Sequence, residues 1–124
     1  MTPSRRAALI VEDHAFIGLV ASDILHESGF STFHAYDAND AERLLDAHPE
    51  IDVVVAEADL PGDVSGLELC RRVAARRPDV QLIVTAAGRA PNAADMPSGT
   101  AVLHKPYASD ELRALVGEDA LAAA

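Results

Sequence analysis

The sequence predicts an α/β fold in which five parallel strands alternate with helices. Short apolar runs of strand length recur along the chain, and the segments between most of them place apolar residues at helical spacing. The run at residues 51–56 is rich in valine and ends just before a turn at Pro61, as a strand buried on both faces of a parallel sheet does. Strands joined through helices predict right-handed crossovers, with helices on both faces of one sheet.

The predicted strands are short and end at polar or turn-forming residues. We place them at residues 7–11, 31–35, 51–56, 80–84 and 101–104. Helix-spaced apolar residues follow the first three strands, and Gly29, Pro49 and Pro78 mark the ends of those helices. The last helix should begin near Ser109, because acidic residues in a first turn favour the helix dipole.

The first helix is predicted to bury Phe16, Ile17 and Val20 in the core, because they recur at helical spacing. The segment between the last two strands is different. Residues 86–99 contain two prolines and two glycines with little apolar periodicity, which predicts a short or irregular helix. We expect one domain over residues 1–124, with a core at about 7–117 and a frayed tail at 118–124.

Composition limits the possible functions. A hydrophobic content of 49% is ample for a core, yet no apolar run approaches the roughly 20 residues that span a membrane. The net charge of −10 argues against nucleic-acid binding and suits a divalent cation or a basic partner. The single cysteine, Cys70, excludes an internal disulfide and predicts a cytoplasmic location.

Polar side chains follow four of the predicted strands. Glu12 and Asp13 follow the first strand, Glu57 the third, Thr85 the fourth and Lys105 the fifth. In open α/β sheets, ligands bind beyond the carboxyl ends of the strands, so these residues should share one edge. Clustered carboxylates repel unless a cation lies among them, and such oxygen ligands suit Mg²⁺.

These motifs, in this order, resemble the receiver domains of two-component response regulators. The resemblance covers essentially the whole chain. The motifs that support it are Val11-Glu12-Asp13, residues 52–61 with Gly66 beyond them, Thr85-Ala86, and His104-Lys105-Pro106-Tyr107. It implies a flavodoxin-like (CheY-like) doubly wound sheet of strand order 2-1-3-4-5.

The resemblance also implies a phosphoryl site. An acceptor aspartate normally ends the third strand, and Glu57 occupies that position here, while Thr85 and Lys105 would bind phosphoryl oxygens. Weakly held Mg²⁺ would have as ligands Glu12, Asp13, Glu57 and the backbone carbonyl of Asp59. The implied partners are a sensor histidine kinase or histidine phosphotransfer protein and a downstream protein, and a homodimer is a further option. The family implies a signalling module and not an enzyme.

Three positions depart from the family pattern. Glu57 adds a methylene to the acceptor, and a displacement of roughly an ångström can lower the rate of an in-line transfer about a hundredfold. Val102 replaces the usual switch aromatic, and the loop from Pro61 to Gly66 is one residue longer than the commonest pattern. The longer Glu57 is also expected to reach Lys105 and make the site partly self-neutralised.

Two functions therefore remain open. The first is a stand-alone receiver in a phosphorelay that is poorly or not phosphorylated, or in which Glu57 imitates the phosphorylated state. The second is a phosphorylation-independent pseudo-receiver that acts as a protein-binding module. A dinucleotide carrier is disfavoured, because the chain has no Gly-x-Gly-x-x-Gly motif.

Overall fold

The computed structural model describes residues 6–117 and contains one five-stranded parallel sheet. Its strand order, β2-β1-β3-β4-β5, is the order expected from the sequence, and the predicted fold class is confirmed. The strands are β1 (Ala7–Val11), β2 (Ser31–Ala35), β3 (Ile51–Glu57), β4 (Gln81–Ala86) and β5 (Ala101–His104). Thr85 lies inside β4, so this strand ends slightly later than predicted.

Four α-helices connect and flank the strands, and local sequence explains where three of them begin. The helices are α1 (Ala15–Glu27), α2 (Ala38–Ala47), α3 (Gly66–Arg76) and α4 (Ser109–Val116). At the first three helix starts, a side chain accepts a hydrogen bond from a backbone N–H of the first turn. These capping residues are His14, Asp37 and Ser65.

The connection between β4 and β5 is irregular, as the sequence predicted. Its one helical element among the described residues is a single 3-10 turn, Ala93–Asp95. Two contacts hold this segment against the domain: Arg71 Nη1 of α3 donates to the Asp95 carbonyl at 2.6 Å, and Met96 packs against the core. Individual contacts with α3 and the core, rather than a packed helix, therefore hold this segment in place.

The core has two layers, one on each face of the sheet. Leu9, Val54 and Val84 face α2 and α3, while Ile10 and Val55 face α1 and α4. Alternate residues of each central strand point to opposite faces of the sheet. Because both faces are covered by helices, nearly every residue of such a strand is apolar in the sequence. This explains why residues 51–56 are almost entirely aliphatic.

The prediction that Phe16, Ile17 and Val20 are core residues is wrong for two of them. Phe16 is 68% exposed and Val20 is 42% exposed, while Ile17 is half-buried. Helix α1 instead turns Gly18 and Ala21 inward. Because the first two turns of α1 are apolar on both faces, the spacing of its apolar residues could not show which face meets the sheet.

The predicted tail at 118–124 lies outside the described residues. Within residues 6–117, none of the helices is long and apolar enough to cross a membrane.

Candidate functional site

The sheet brings the predicted polar residues to one edge. Glu57 and Thr85 are partners in the register of β3 with β4, and Glu12 directly follows Val11, whose partner on β3 is Ala56. Lys105 follows β5, and its backbone N–H donates to the Ala86 carbonyl at 2.8 Å. The carboxyl ends of four strands therefore converge, as expected for this type of sheet.

Lys105 bridges the two buried acids of this edge. Its Nζ donates to Glu12 Oε1 and to Glu57 Oε2. The exposed fractions of the three side chains are 14% for Lys105, 5% for Glu12 and 7% for Glu57. The expected contact between the longer Glu57 and Lys105 is present, so one internal cation partly neutralises two carboxylates. We call Glu12, Glu57, Thr85 and Lys105 the acidic pocket.

The acids affect the titration of the groups beside them. Burial alone lowers the pKa of Lys105, but hydrogen bonds to Glu12 and Glu57 outweigh burial and hold this pKa above its ordinary value. Burial raises the pKa of the Tyr107 hydroxyl; Lys105 opposes this effect, and both acids add to it. At neutral pH both Lys105 and Tyr107 therefore keep their protons.

The backbone around Glu57 is held from two sides. The Ala58 N–H donates to the Thr85 carbonyl at 2.9 Å, and the Gly66 N–H donates to the Ala58 carbonyl at 3.0 Å. A Cβ placed at Gly66 would overlap the Glu57 carbonyl oxygen, so the start of α3 can approach β3 only because residue 66 is glycine. The backbone at the end of β3 is therefore held by contacts with both β4 and the start of α3.

The turn that contains Glu12 is fixed by local and by long-range hydrogen bonds. Glu12 Oε2 accepts from the His14 N–H at 3.0 Å, and the Glu12 carbonyl lies 3.0 Å from His34 Nε2 on β2. Sequence reasoning assigned no role to His34. Its spacing gives no signal, because the contact depends on how β2 aligns beside β1.

Of the predicted metal ligands, Glu12 and Glu57 meet at the Lys105 ammonium. These two acids are buried, whereas the Asp13 residue is exposed. Among residues 6–117, no three His, Cys, Asp or Glu side chains form a group that could hold a metal ion. The donor set as it stands does not fit a divalent cation, because an ammonium group already lies against both buried carboxylates.

Residues 8–117 match the family model of the response regulator receiver domain. The chain belongs to this family. Receiver domains are signalling modules of two-component systems that are generally not enzymes; they interact with histidine kinases or phosphotransfer proteins and typically bind Mg²⁺ at the phosphorylation site. No curated protein matches the sequence.

Solved structures of receiver proteins share the fold. A response regulator receiver protein from Sinorhizobium medicae WSM419 has a TM-score of 0.86 at 21% identity, with 97% of each chain covered. One from Pseudomonas putida has a TM-score of 0.82 at 24% identity, covering 95% of this chain and 100% of that one. The signal receiver domain of an HD domain-containing protein from Pseudomonas fluorescens Pf-5 has a TM-score of 0.79 at 25% identity, covering 91% and 92%.

Proposed function

We propose that this chain is a receiver domain of a two-component phosphorelay in which Glu57 occupies the acceptor position and takes up phosphate poorly or not at all. The observation that supports this proposal is the bridge from Lys105 to both Glu12 and Glu57. The ammonium group engages the acceptor carboxylate and withholds it from attack on a phosphoryl donor. The chain acts through protein contacts, without an enzymatic activity of its own.

The length of Glu57 supports the same conclusion. In-line phosphoryl transfer depends on positioning, and the added methylene moves the carboxylate by roughly an ångström relative to aspartate. Gly66 packs directly against the Glu57 carbonyl, which leaves the Glu57 backbone little room to shift toward α3 and compensate. Glu57 also imitates a phosphoryl group only in part, since a carboxylate has less charge and fewer acceptor oxygens.

A second candidate function is a phosphorylation-independent pseudo-receiver that acts as a binding module. The self-neutralised acidic pocket favours it, because a site with its own counter-ion needs neither phosphate nor metal to be stable. We propose weak Mg²⁺ binding under either function. Glu12, Asp13, Glu57 and the carbonyl of Asp59 would have to displace or rearrange Lys105 first.

The partner surface we propose is the exposed face of α1. Phe16, Leu19 and Val20 are large apolar residues, all more than 40% exposed, on adjacent turns of one helix beside the acidic pocket. Such a patch is typical of a protein-docking surface. It suits a histidine kinase or histidine phosphotransfer protein, and a downstream protein or a second copy are further options. A cytoplasmic location fits the single unpaired Cys70.

The deciding experiment compares the chain with its Glu57→Asp variant. Both are incubated, with Mg²⁺ present, with a small acyl-phosphate donor and separately with a cognate kinase. With a phosphate-labelled donor, we expect Glu57→Asp to become phosphorylated, and hydroxylamine should remove the label because it cleaves acyl phosphates. The unsubstituted chain should take up far less labelled phosphate. Glu57→Gln, which keeps the length and removes the charge, is the matched control and should stay unlabelled.

The outcome separates the two functions. Label on Glu57→Asp alone supports a phosphorelay receiver with an altered acceptor. If a folded Glu57→Asp variant stays unlabelled with both donors, the pocket has diverged beyond its acceptor, and the pseudo-receiver replaces the first proposal. Efficient labelling of the chain as written would contradict both.

A further inference from the structure

His34 lies on β2, an edge strand of the sheet, yet its ring reaches the turn that contains Glu12. Its Nε2 is 3.0 Å from the Glu12 carbonyl oxygen. A carbonyl only accepts hydrogen bonds, so Nε2 carries the proton and donates. Glu12 follows the last residue of β1, and His34 therefore provides a side-chain donor for a carbonyl at the point where the chain leaves the sheet.

The fold makes a specific space for this ring. Gly18 is a buried residue inside α1, and a Cβ placed there would overlap the His34 ring. Glycine is unfavourable in the interior of a helix, so its presence at the contact is consistent with a need for space. On another side, Tyr36 stacks on His34 with ring centroids 4.3 Å apart. The ring is thus confined between α1 and Tyr36.

The contact matters for the acidic pocket because it fixes the backbone position from which the Glu12 side chain extends. The Glu12 N–H donates to the Ala35 carbonyl at 3.0 Å, and the Glu12 carbonyl accepts from His34. Both backbone polar groups of Glu12 are therefore anchored to β2. With the backbone fixed, the carboxylate can accept from the His14 N–H through one oxygen and from Lys105 through the other.

We propose that His34 is a positioning residue for the acidic pocket: it holds the Glu12 carbonyl so that the Glu12 carboxylate meets Lys105, and Gly18 makes room for its ring. The proposal concerns the geometry of the pocket and holds for either function proposed above. It predicts that loss of the His34 donor makes the Lys105 amine more accessible to reagents, while the buried core stays inaccessible.

The composition of the chain provides two internal reporters for this test. Lys105 is the only lysine, and Cys70 is the only cysteine. Cys70 is fully buried, and burial raises the pKa of its thiol to about 12, so a thiol reagent reports larger openings of the core. An amine reagent reports opening of the acidic pocket, and the tryptic fragment 90–113 separates Lys105 from the α-amino group.

The variants isolate the hydrogen bond from the packing of the ring. His34→Phe keeps an aromatic ring but cannot donate, and His34→Gln restores a donor. We expect His34→Phe to speed the labelling of Lys105 about five-fold, the factor that corresponds to a lost hydrogen bond of about 1 kcal/mol, while the Cys70 rate stays constant. His34→Gln should recover most of the protection. Tyr36→Leu, which removes the stacking but leaves the donor, should change the Lys105 rate less than two-fold.

A second pair of variants tests the space at Gly18. Gly18→Ala should displace the ring and speed Lys105 labelling, and the same substitution should have little further effect in a His34→Ser background. The proposal is overturned if His34→Phe leaves the Lys105 rate unchanged. It is equally overturned if the Lys105 and Cys70 rates rise together, because His34 would then only stabilise the fold as a whole.

Discussion

Replacing Lys105 by methionine is the most direct perturbation of the acidic pocket. The substitution keeps an unbranched side chain of similar length and removes the charge that both buried acids share. Glu12 and Glu57 would then face each other as two carboxylates with little access to water. We expect the folded state to lose stability at neutral pH, because desolvated like charges repel without a counter-ion.

The structure allows the size of this loss to be estimated. Removing one partner of a buried ion pair costs about 3–5 kcal/mol, since the other charge stays buried and uncompensated. The Lys105 side chain keeps 14% of its exposure, so some water reaches the pocket. The lower end, about 3 kcal/mol, is therefore expected. That is a large share of the roughly 5–15 kcal/mol that stabilises a typical domain, yet the variant should still fold.

The pH dependence follows from the same contacts. The pKa of Lys105 is raised in the folded chain, so its ion pairs stabilise the fold fully at neutral pH. This stabilisation is lost only as the pH rises above 10.5, the ordinary pKa of a lysine. A second substitution, Glu57→Gln in the Lys105→Met background, should recover much of the loss at pH 7.

Urea unfolding followed by circular dichroism measures these differences, and the chain offers a matched control. Arg72 also contacts two carboxylates, those of Glu42 and Glu68, but at the surface. Exposed ion pairs contribute little, so Arg72→Met should change the unfolding free energy far less than Lys105→Met. If the two variants lose the same stability, the acids of the pocket are well solvated, and the account of Lys105 as an internal counter-ion is wrong.

Three further predictions concern the metal, the backbone and the partner surface. In a calorimetric titration, Lys105→Ala should bind Mg²⁺ more tightly than the chain as written; equal affinities would show that the ammonium group does not compete with the metal. Gly66→Ala should lower the unfolding free energy by about 1–3 kcal/mol, because its Cβ overlaps the Glu57 carbonyl, and an unchanged urea midpoint would argue against that close approach. Phe16→Asp should leave the urea midpoint within experimental error, since Phe16 is 68% exposed, but should weaken binding to a cognate kinase or phosphotransfer protein by at least ten-fold; undiminished binding would place the docking surface elsewhere.

Local sequence patterns were sufficient for the order of elements and for the edge at which the site lies. Aliphatic runs such as residues 51–56 are expected of strands covered on both faces, and prolines and glycines mark most of the helix ends. The same reasoning found the irregular segment between β4 and β5, because residues that break helices are visible in the sequence itself. The position of polar residues after strands predicted where Glu12, Glu57 and Lys105 would meet.

Periodicity was insufficient where one helix had two apolar faces. Phe16 and Val20 have the spacing of core residues, and yet they are exposed. The face that meets the sheet was decided by packing against β2, where Gly18 leaves space for His34. A glycine in a helix carries no periodic signal, so the sequence pattern favoured the larger apolar residues.

The sequence by itself determined the fold, the receiver family and the presence of an acidic residue, Glu57, at the end of the third strand, because these depend on residue type and order along the chain. Only the tertiary structure decided how the charges are arranged. Lys105 is 93 residues from Glu12 and 48 from Glu57, and it bridges both because parallel strands end at one edge. The role of His34 likewise depends on the alignment of β2 beside β1. Distances between side chains remote in sequence follow from strand order and register, which fix the geometry of the pocket.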